Sequence, residues 1–252
     1  MKNALDFIRF ALSHAKLDTV PLGAKLPLDR EECGTEEWEY LPGMRGEQVN
    51  AEVLDAKYEN FYKVFGWTRE RFDHVTTNFA RKRVHACDSQ GLLTAYTGMA
   101  ATPNYCYSAW CTEKGRIGTV KRPYAIGEAV FIMDNEERMM HTGFICGQIG
   151  GEPLVVEARG IMFGVCVTKL SERPWTHRGL CTRRLIYDEN CYDEQIILSL
   201  QKPMMQGAAV RQLQLALNAL GYFAGEADGK CGEATLSAVK EFSKAHIAVL
   251  MK

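Results

Sequence analysis

No stretch of this 252-residue chain approaches the roughly 18 consecutive apolar residues that would mark a membrane-spanning helix, so membrane insertion is not expected. An excess of one charge is lacking too: 30 Lys and Arg face 31 Asp and Glu, for a net charge of -1. Without a sequence-wide positive field, neither nucleic acid nor an anionic membrane is an expected partner. Arg81-Lys82-Arg83 is too short a run to change this and reads as a solvated face. Metal-binding spacings are also missing. There is no Cys-x-x-Cys, and none of the six histidines belongs to a His-Glu-x-x-His, so neither a zinc site nor a cofactor has support in the sequence. No Gly-x-x-x-x-Gly-Lys-Ser/Thr phosphate loop occurs.

What is present begins with MKNALDFIRFALSHA. Asp6 and Arg9 interrupt its apolar stretch and no small-residue cleavage site follows, so it does not read as a secretory signal. It reads as an amphipathic helix with Leu5, Ile8, Leu12 and Ala15 on one stripe. The nine cysteines, at 33, 87, 106, 111, 146, 166, 181, 191 and 231, are odd in number and scattered. They read as small buried apolar residues in a reducing compartment rather than as a disulfide framework.

Length allows one large domain and a small module. Helical patterns come first, over Ala51 to Phe65 and again from Asp88. Four strand-like runs follow between Gly127 and Thr168: EAVFIM, MMHTGFICG, PLVVEA and FGVCVT. Helices followed by a sheet is an α+β order, assigned to residues 1–192. From about Gln195 the texture changes. Val210, Leu213, Leu217 and Leu220 recur at helical spacing before Gly221, an Asp228-Gly229 turn follows, and Thr235, Ala238, Val239 and Phe242 begin a second helical stripe. Residues 195–252 are therefore expected to form a small all-α domain. The pattern V-x-x-L-Q-x-x-L-x-x-L-G-Y, then D-G-x-x-G-x-x-T-x-x-A-V-x-x-F, resembles the type 1 peptidoglycan-binding domain over residues 203–246. That resemblance implies attachment to bacterial peptidoglycan, through the stem peptides.

An α+β order suits a cysteine nucleophile. A thiol at a helix N-terminus is acidified by the helix dipole and unpaired N–H groups, and a histidine on a neighbouring strand, oriented by a third polar group, completes the pair. The stretch HACDSQGLL, residues 85–93, is where such a helix begins, but a serine stands where the thiol is expected. D-S-Q-G-L-L resembles the D-C-S/Q-G-L signature of the NlpC-type cell-wall peptidases, a papain-like superfamily that also includes the CHAP amidases. H-T-G-F-I-C-G at 141–147 is similar to their H-V-G-I-Y-I-G strand. V-V-E-A-R-G at 155–160 and R-P-W-T-H-R-G at 173–179 follow in the same order, as in phage endolysins. The resemblance implies Ser89 at the nucleophile position, His141 as general base and Glu157 as its orienting partner. His14, His74, His85, His177 and His246 lie in no matching motif and are expected to have no chemical role.

Three explanations of Ser89 compete: a cysteine-to-serine variant of an intact site, a displaced nucleophile at Cys87, or a native serine. Cys87 and Ser89 would differ in direction by about 200° on a helix, and Asp88 as the cap would leave Cys87 outside it, as a small buried residue. A native serine would depend on a rebuilt base and oxyanion hole. The variant reading is taken. The expected function is an endolysin-like peptidoglycan hydrolase, either an endopeptidase or an N-acetylmuramoyl-L-alanine amidase, inactivated by Ser89. The alternative is a wall-binding protein with a degenerate peptidase domain, and a transglutaminase-like acyltransferase is a more distant one. Without a signal, such a lysin is expected to be made in a host cytoplasm and to act on the wall after release. The aromatic residues Tyr105, Tyr107 and Trp110 would either line the cleft or pack under a loop.

Overall fold

The computed structural model describes residues 1–192 and 206–250 and divides into two compact units, Met1–Asp193 and Glu194–Lys252. The expected start of the tail at Gln195 lies outside the described residues.

In the first unit, β1 (Lys2–Asn3) runs directly into α1 (Ala4–Ser13). Asn3 starts this helix because its side chain accepts from the N–H groups of Leu5 and Asp6, donors that a helix leaves unpaired at its first turn. The buried face is Ala4, Phe7, Ile8, Ala11 and Leu12, continued by Ala15. Leu5, expected on that face, is only half-buried, and Phe7 and Ala11 take its place. Two short strands, β2 (Glu39–Tyr40) and β3 (Arg45–Gln48), precede α2 (Ala51–Phe65), which forms over the expected range. Asn50 caps it by accepting from Val53 N, and Gly66 closes it in the left-handed conformation. The next helix, α3 (Arg69–Lys82), is not anticipated by the sequence pattern, since of its buried side chains only Phe72 and Phe79 are apolar. It packs on α2 through Phe61, Phe72 and Phe79, in a cluster of its own.

The strand β4 (His85–Cys87) lies between β2 and β3 in a small sheet and leads to α4 (Gly91–Thr97). One turn, α5 (Pro103–Tyr105), continues into a π-helical turn at Cys106–Trp110. The remaining strands are β5 (Thr112–Arg116), β6 (Ala129–Met133), β7 (Met139–Ile149), β8 (Glu152–Gly160), β9 (Gly164–Lys169), β10 (His177–Leu180) and β11 (Leu185–Ile186). Six of them form an antiparallel sheet in the order β5-β10-β6-β7-β8-β9, and β11 returns to pair with β1. The four expected strands are β6 to β9. Helices beside an antiparallel sheet is the α+β class read from the sequence.

The sheet is covered on both faces, and alternate residues serve each. Phe131, Phe144, Val156 and Val165 point to the main core, with Phe7 and Ile8 of α1 and Leu92 and Leu93 of α4. Phe7 meets Phe144 edge to face at 4.8 Å, a contact worth about 0.5–1.5 kcal/mol beyond its buried area. Val130, Ile145 and Val155 point the other way, to Trp175. The outer side of β9 is occupied by the chain that follows α1. Lys16 N donates to Val165 O, Val165 N to Trp38 O and Val167 N to Thr19 Oγ1.

The second unit holds α6 (Ala208–Ala219) and α7 (Glu233–Leu250). Val210 and Leu217 of the expected α6 stripe are buried, whereas Leu220 is 61% exposed because it caps the helix beyond its last turn. Leu217, Ala224 and Ala238 form the centre of the module, with Leu213, Val239 and Phe242 around them. Gln214, itself buried, ties the turn to both helices. Its Nε2 faces Asp228 Oδ1, Lys230 O and Thr235 Oγ1 at 3.0–3.1 Å, and its Oε1 accepts from Gly229 N at 2.9 Å.

Candidate functional site

After β4 the chain turns through Asp88, Ser89 and Gln90. Asp88 organises this turn: Oδ1 accepts from Gln90 N at 3.0 Å and Gly91 N at 2.8 Å, and Oδ2 from Gly43 N at 2.8 Å. Gly91 opens α4 because a methyl group there would stand 2.4 Å from Met44 O. Ser89 thus occupies the turn ahead of the Gln90 cap and not the helix itself, and α4 is only 7 residues long. Both facts leave the helix-terminus field a smaller role than the sequence reading gives it. Ser89 is buried, and among the described residues its hydroxyl makes no hydrogen bond. Cys87 ends β4 with no exposed surface. Burial, and then the neighbouring Asp88 charge, push its thiol pKa well up, which suits a packing residue and not a nucleophile.

His141 and Glu157 meet across β7 and β8. The register sets Phe144 opposite Val156, which places His141 and Glu157 diagonally on one face. Their side chains bond, Nε2 to Oε2, at 2.7 Å. Glu157 is fully buried, and its Oε1 accepts from Thr168 Oγ1 at 2.9 Å and pairs with Arg173 Nε at 3.2 Å. Burial opposes ionisation of Glu157. The His141 hydrogen bond, the charges of His141 and Arg173 and the Thr168 hydroxyl outweigh it and hold the carboxyl below its usual pKa. A charged carboxylate therefore orients the imidazole through Nε2, and Nδ1 has no hydrogen-bond partner among the described residues. Trp175 stacks on the imidazole, centroids 5.6 Å apart and planes 23° apart. Gly143 makes room for it, because a methyl group there would stand 2.5 Å from Val155 Cγ1 and 2.8 Å from the indole ring. The H-x-G spacing and the downstream tryptophan are thus one packing unit around the imidazole.

Of the three residues expected to act together, the structure joins His141 and Glu157. Strand alternation puts His141, Gly143 and Ile145 on the Trp175 face, while Phe144 faces α1 and α4. Ser89 leads into α4, and no hydrogen bond connects it to either partner among the described residues. A carboxylate-held imidazole with one free ring nitrogen is equipped for proton transfer in either direction. Among the aromatic candidates, Trp110 is buried in the main core, Tyr105 is 53% exposed, and Tyr107 meets Phe131 and His177 edge to face. Two groups escape sequence reasoning. Thr168 reaches Glu157 through strand pairing, and Arg173, although it opens the R-P-W-T-H-R-G stretch, reaches it from the turn after β9, so neither contact with Glu157 is signalled by the sequence. The thiols of Cys106, Cys111 and Cys181, 5 and 70 residues apart along the chain, all lie within 4.8 Å of one another.

In the second unit, the arrangement of helix, Gln214-anchored turn and helix is the one the tail pattern implied. Residues 206–246 match the family model described as "Putative peptidoglycan binding domain". This domain supports peptidoglycan as a partner and points to cell-wall association. No curated protein and no solved structure matches the chain. Among the described residues, no helix is long and apolar enough to cross a membrane.

Proposed function

We propose that the first unit is a peptidoglycan hydrolase of the NlpC-type, papain-like layout, cutting an amide of the stem peptide. In this reading Ser89 occupies the nucleophile position, His141 is the acid and base, and Glu157 orients it. The pairing of half-buried His141 with fully buried Glu157, at 2.7 Å and backed by Arg173 and Thr168, is the observation that carries the proposal. A thiolate at position 89 would attack the carbonyl carbon, and His141 would protonate the departing amine. Water, deprotonated by His141, would then release the acyl group. A serine hydroxyl at that position needs its proton removed first, so the chain as it stands is an inactivated form. The C-terminal module holds the enzyme on its polymer and raises its local concentration there. Synthesis in a host cytoplasm and release onto the wall, as in a phage endolysin, fits this reading.

A second reading, a wall-binding protein without hydrolytic activity, is favoured by one observation: the Ser89 hydroxyl makes no hydrogen bond to His141. Both are tested by turbidity loss and fragment masses from purified peptidoglycan, comparing the chain with its Ser89→Cys variant. Lysis by the variant alone establishes the disabled nucleophile, and the fragment masses then name the bond. If Ser89→Cys binds the wall but releases nothing from any wall type, the hydrolase proposal falls.

A further inference from the structure

Three thiols meet in the main core, and the proposed chemistry uses none of them. Cys106 begins the π-helical turn and Cys111 follows it. The backbone bond from Cys111 N to Cys106 O, at 3.1 Å, closes the turn and sets the two side chains next to each other. Cys181 follows β10, whose Leu180 is paired with Thr112, so it arrives opposite Cys111 from the neighbouring strand. The Sγ atoms of Cys106 and Cys111 each lie 3.5 Å from that of Cys181. A disulfide requires about 2.05 Å. A tetrahedral zinc ion with Zn–S bonds of about 2.3 Å separates its sulfurs by about 3.8 Å, close to the spacing found.

The surroundings are those of a built site. Gln90 is 2% exposed, its side-chain amide lies beside the Cys106 thiol with the N–H side toward the sulfur, and its Oε1 has no hydrogen-bond partner, so turning the amide over presents the oxygen to the cluster. An amide buried in this way costs about 1–3 kcal/mol unless something takes its oxygen. The Arg184 guanidinium lies near Cys106, stacks on Trp110 at 4.4 Å and keeps a buried, unpartnered Nε. Lys114, whose ammonium group bonds to the carbonyls of Tyr107 and Ser108 at 2.7 Å, adds positive charge near Cys111. Three thiolates and a divalent cation sum to one negative charge, and Arg184 and Lys114 are placed to balance it.

We propose that Cys106, Cys111 and Cys181 bind a zinc ion as thiolates, with the Gln90 amide oxygen as the fourth, neutral donor. Binding releases the three thiol protons to solvent and forms three Zn–S bonds, with no change of oxidation state. The ion is structural: it ties the turn that carries Ser89 to the π-helical turn and the end of β10, which strand pairing at Leu180 and Thr112 already holds together. This inference does not depend on the hydrolase proposal.

The test uses the full chain purified under reducing conditions without added chelator. Elemental analysis is expected to find one zinc per chain. Exchange into Co²⁺ is expected to give the near-ultraviolet charge-transfer absorption of thiolate-bound cobalt, and that absorption is lost in Cys181→Ser and retained in Cys33→Ala. If Cys181→Ser does not fold, the metal content and cobalt spectrum of the unaltered chain decide alone. A folded, reduced chain that takes up neither metal stoichiometrically overturns the proposal, as does a Cys111–Cys181 disulfide found by mass spectrometry.

Discussion

Glu157 combines zero exposure with ionisation, and three different partners share the work of keeping it charged. Its pKa in the folded chain lies below the ordinary value of 4.5, so the unfolded chain binds the proton more tightly. The stability it contributes is therefore complete above about pH 4.5 and is lost as pH falls through the lower folded value. Glu157→Gln should lower the unfolding free energy at neutral pH by roughly 3–5 kcal/mol, the scale for breaking a buried pair. Thermal melts of the two proteins across pH should diverge at neutrality and converge in acid. A gap that stays constant into acid would show that Glu157 acts by shape alone. Gly143 and Trp175 belong to the same unit, and their pairing could be read from sequence only as two motifs in the right order. The contact between them appears once β7 is folded beside its neighbours.

At the scale of elements, the residue before β6 carries the largest load. Glu128, fully buried, receives Arg178 Nε at 2.6 Å and Nη2 at 2.7 Å, Arg122 Nη1 at 2.7 Å and Nη2 at 2.8 Å, and Ala125 N at 3.1 Å. This clamp fastens β10 and the 122–125 segment to the start of β6, with Tyr124 lying 3.6 Å from the Arg178 guanidinium. Glu128→Ala should leave two guanidinium groups facing each other and lower stability by roughly 3–5 kcal/mol, read as a lower denaturant midpoint with an unchanged slope. In the C-terminal module, Gln214→Leu should strand the Gly229 N–H at about 1–3 kcal/mol for each orphaned group. Wall cosedimentation of the full chain should fall with it. The strands β6 to β9 and the helices α2 and α6 were legible because their apolar spacing is regular. The helix α3 was not, since RERFDHVTTNFARK hides its buried face among charges and is held by α2. The two-residue strands β1, β2 and β11 carry too little pattern to read. Leu220 misled because helical spacing continues one residue past the point where the helix ends. The cysteine cluster was invisible because a 70-residue separation is bridged by strand order and not by local repeat.

Over the whole molecule, a net charge of -1 means that attachment to a wall polymer cannot lean on bulk attraction. Cosedimentation with purified peptidoglycan should therefore change less than about threefold between low and high salt, because screening acts on long-range charge and not on contact. A steep fall would show that the module binds anionic groups on the wall. The chain that runs from α1 along the outer side of β9 has a different consequence. An open strand edge offers a row of unpaired backbone groups on which a second copy can lay its own strand, which is how sheets grow into fibres. Here Lys16, Thr19 and Trp38 take up groups along that edge. At Val165 and at Val167 N the β9 edge therefore has no free backbone group of this kind to offer a second copy beside the strands that bear His141 and Glu157.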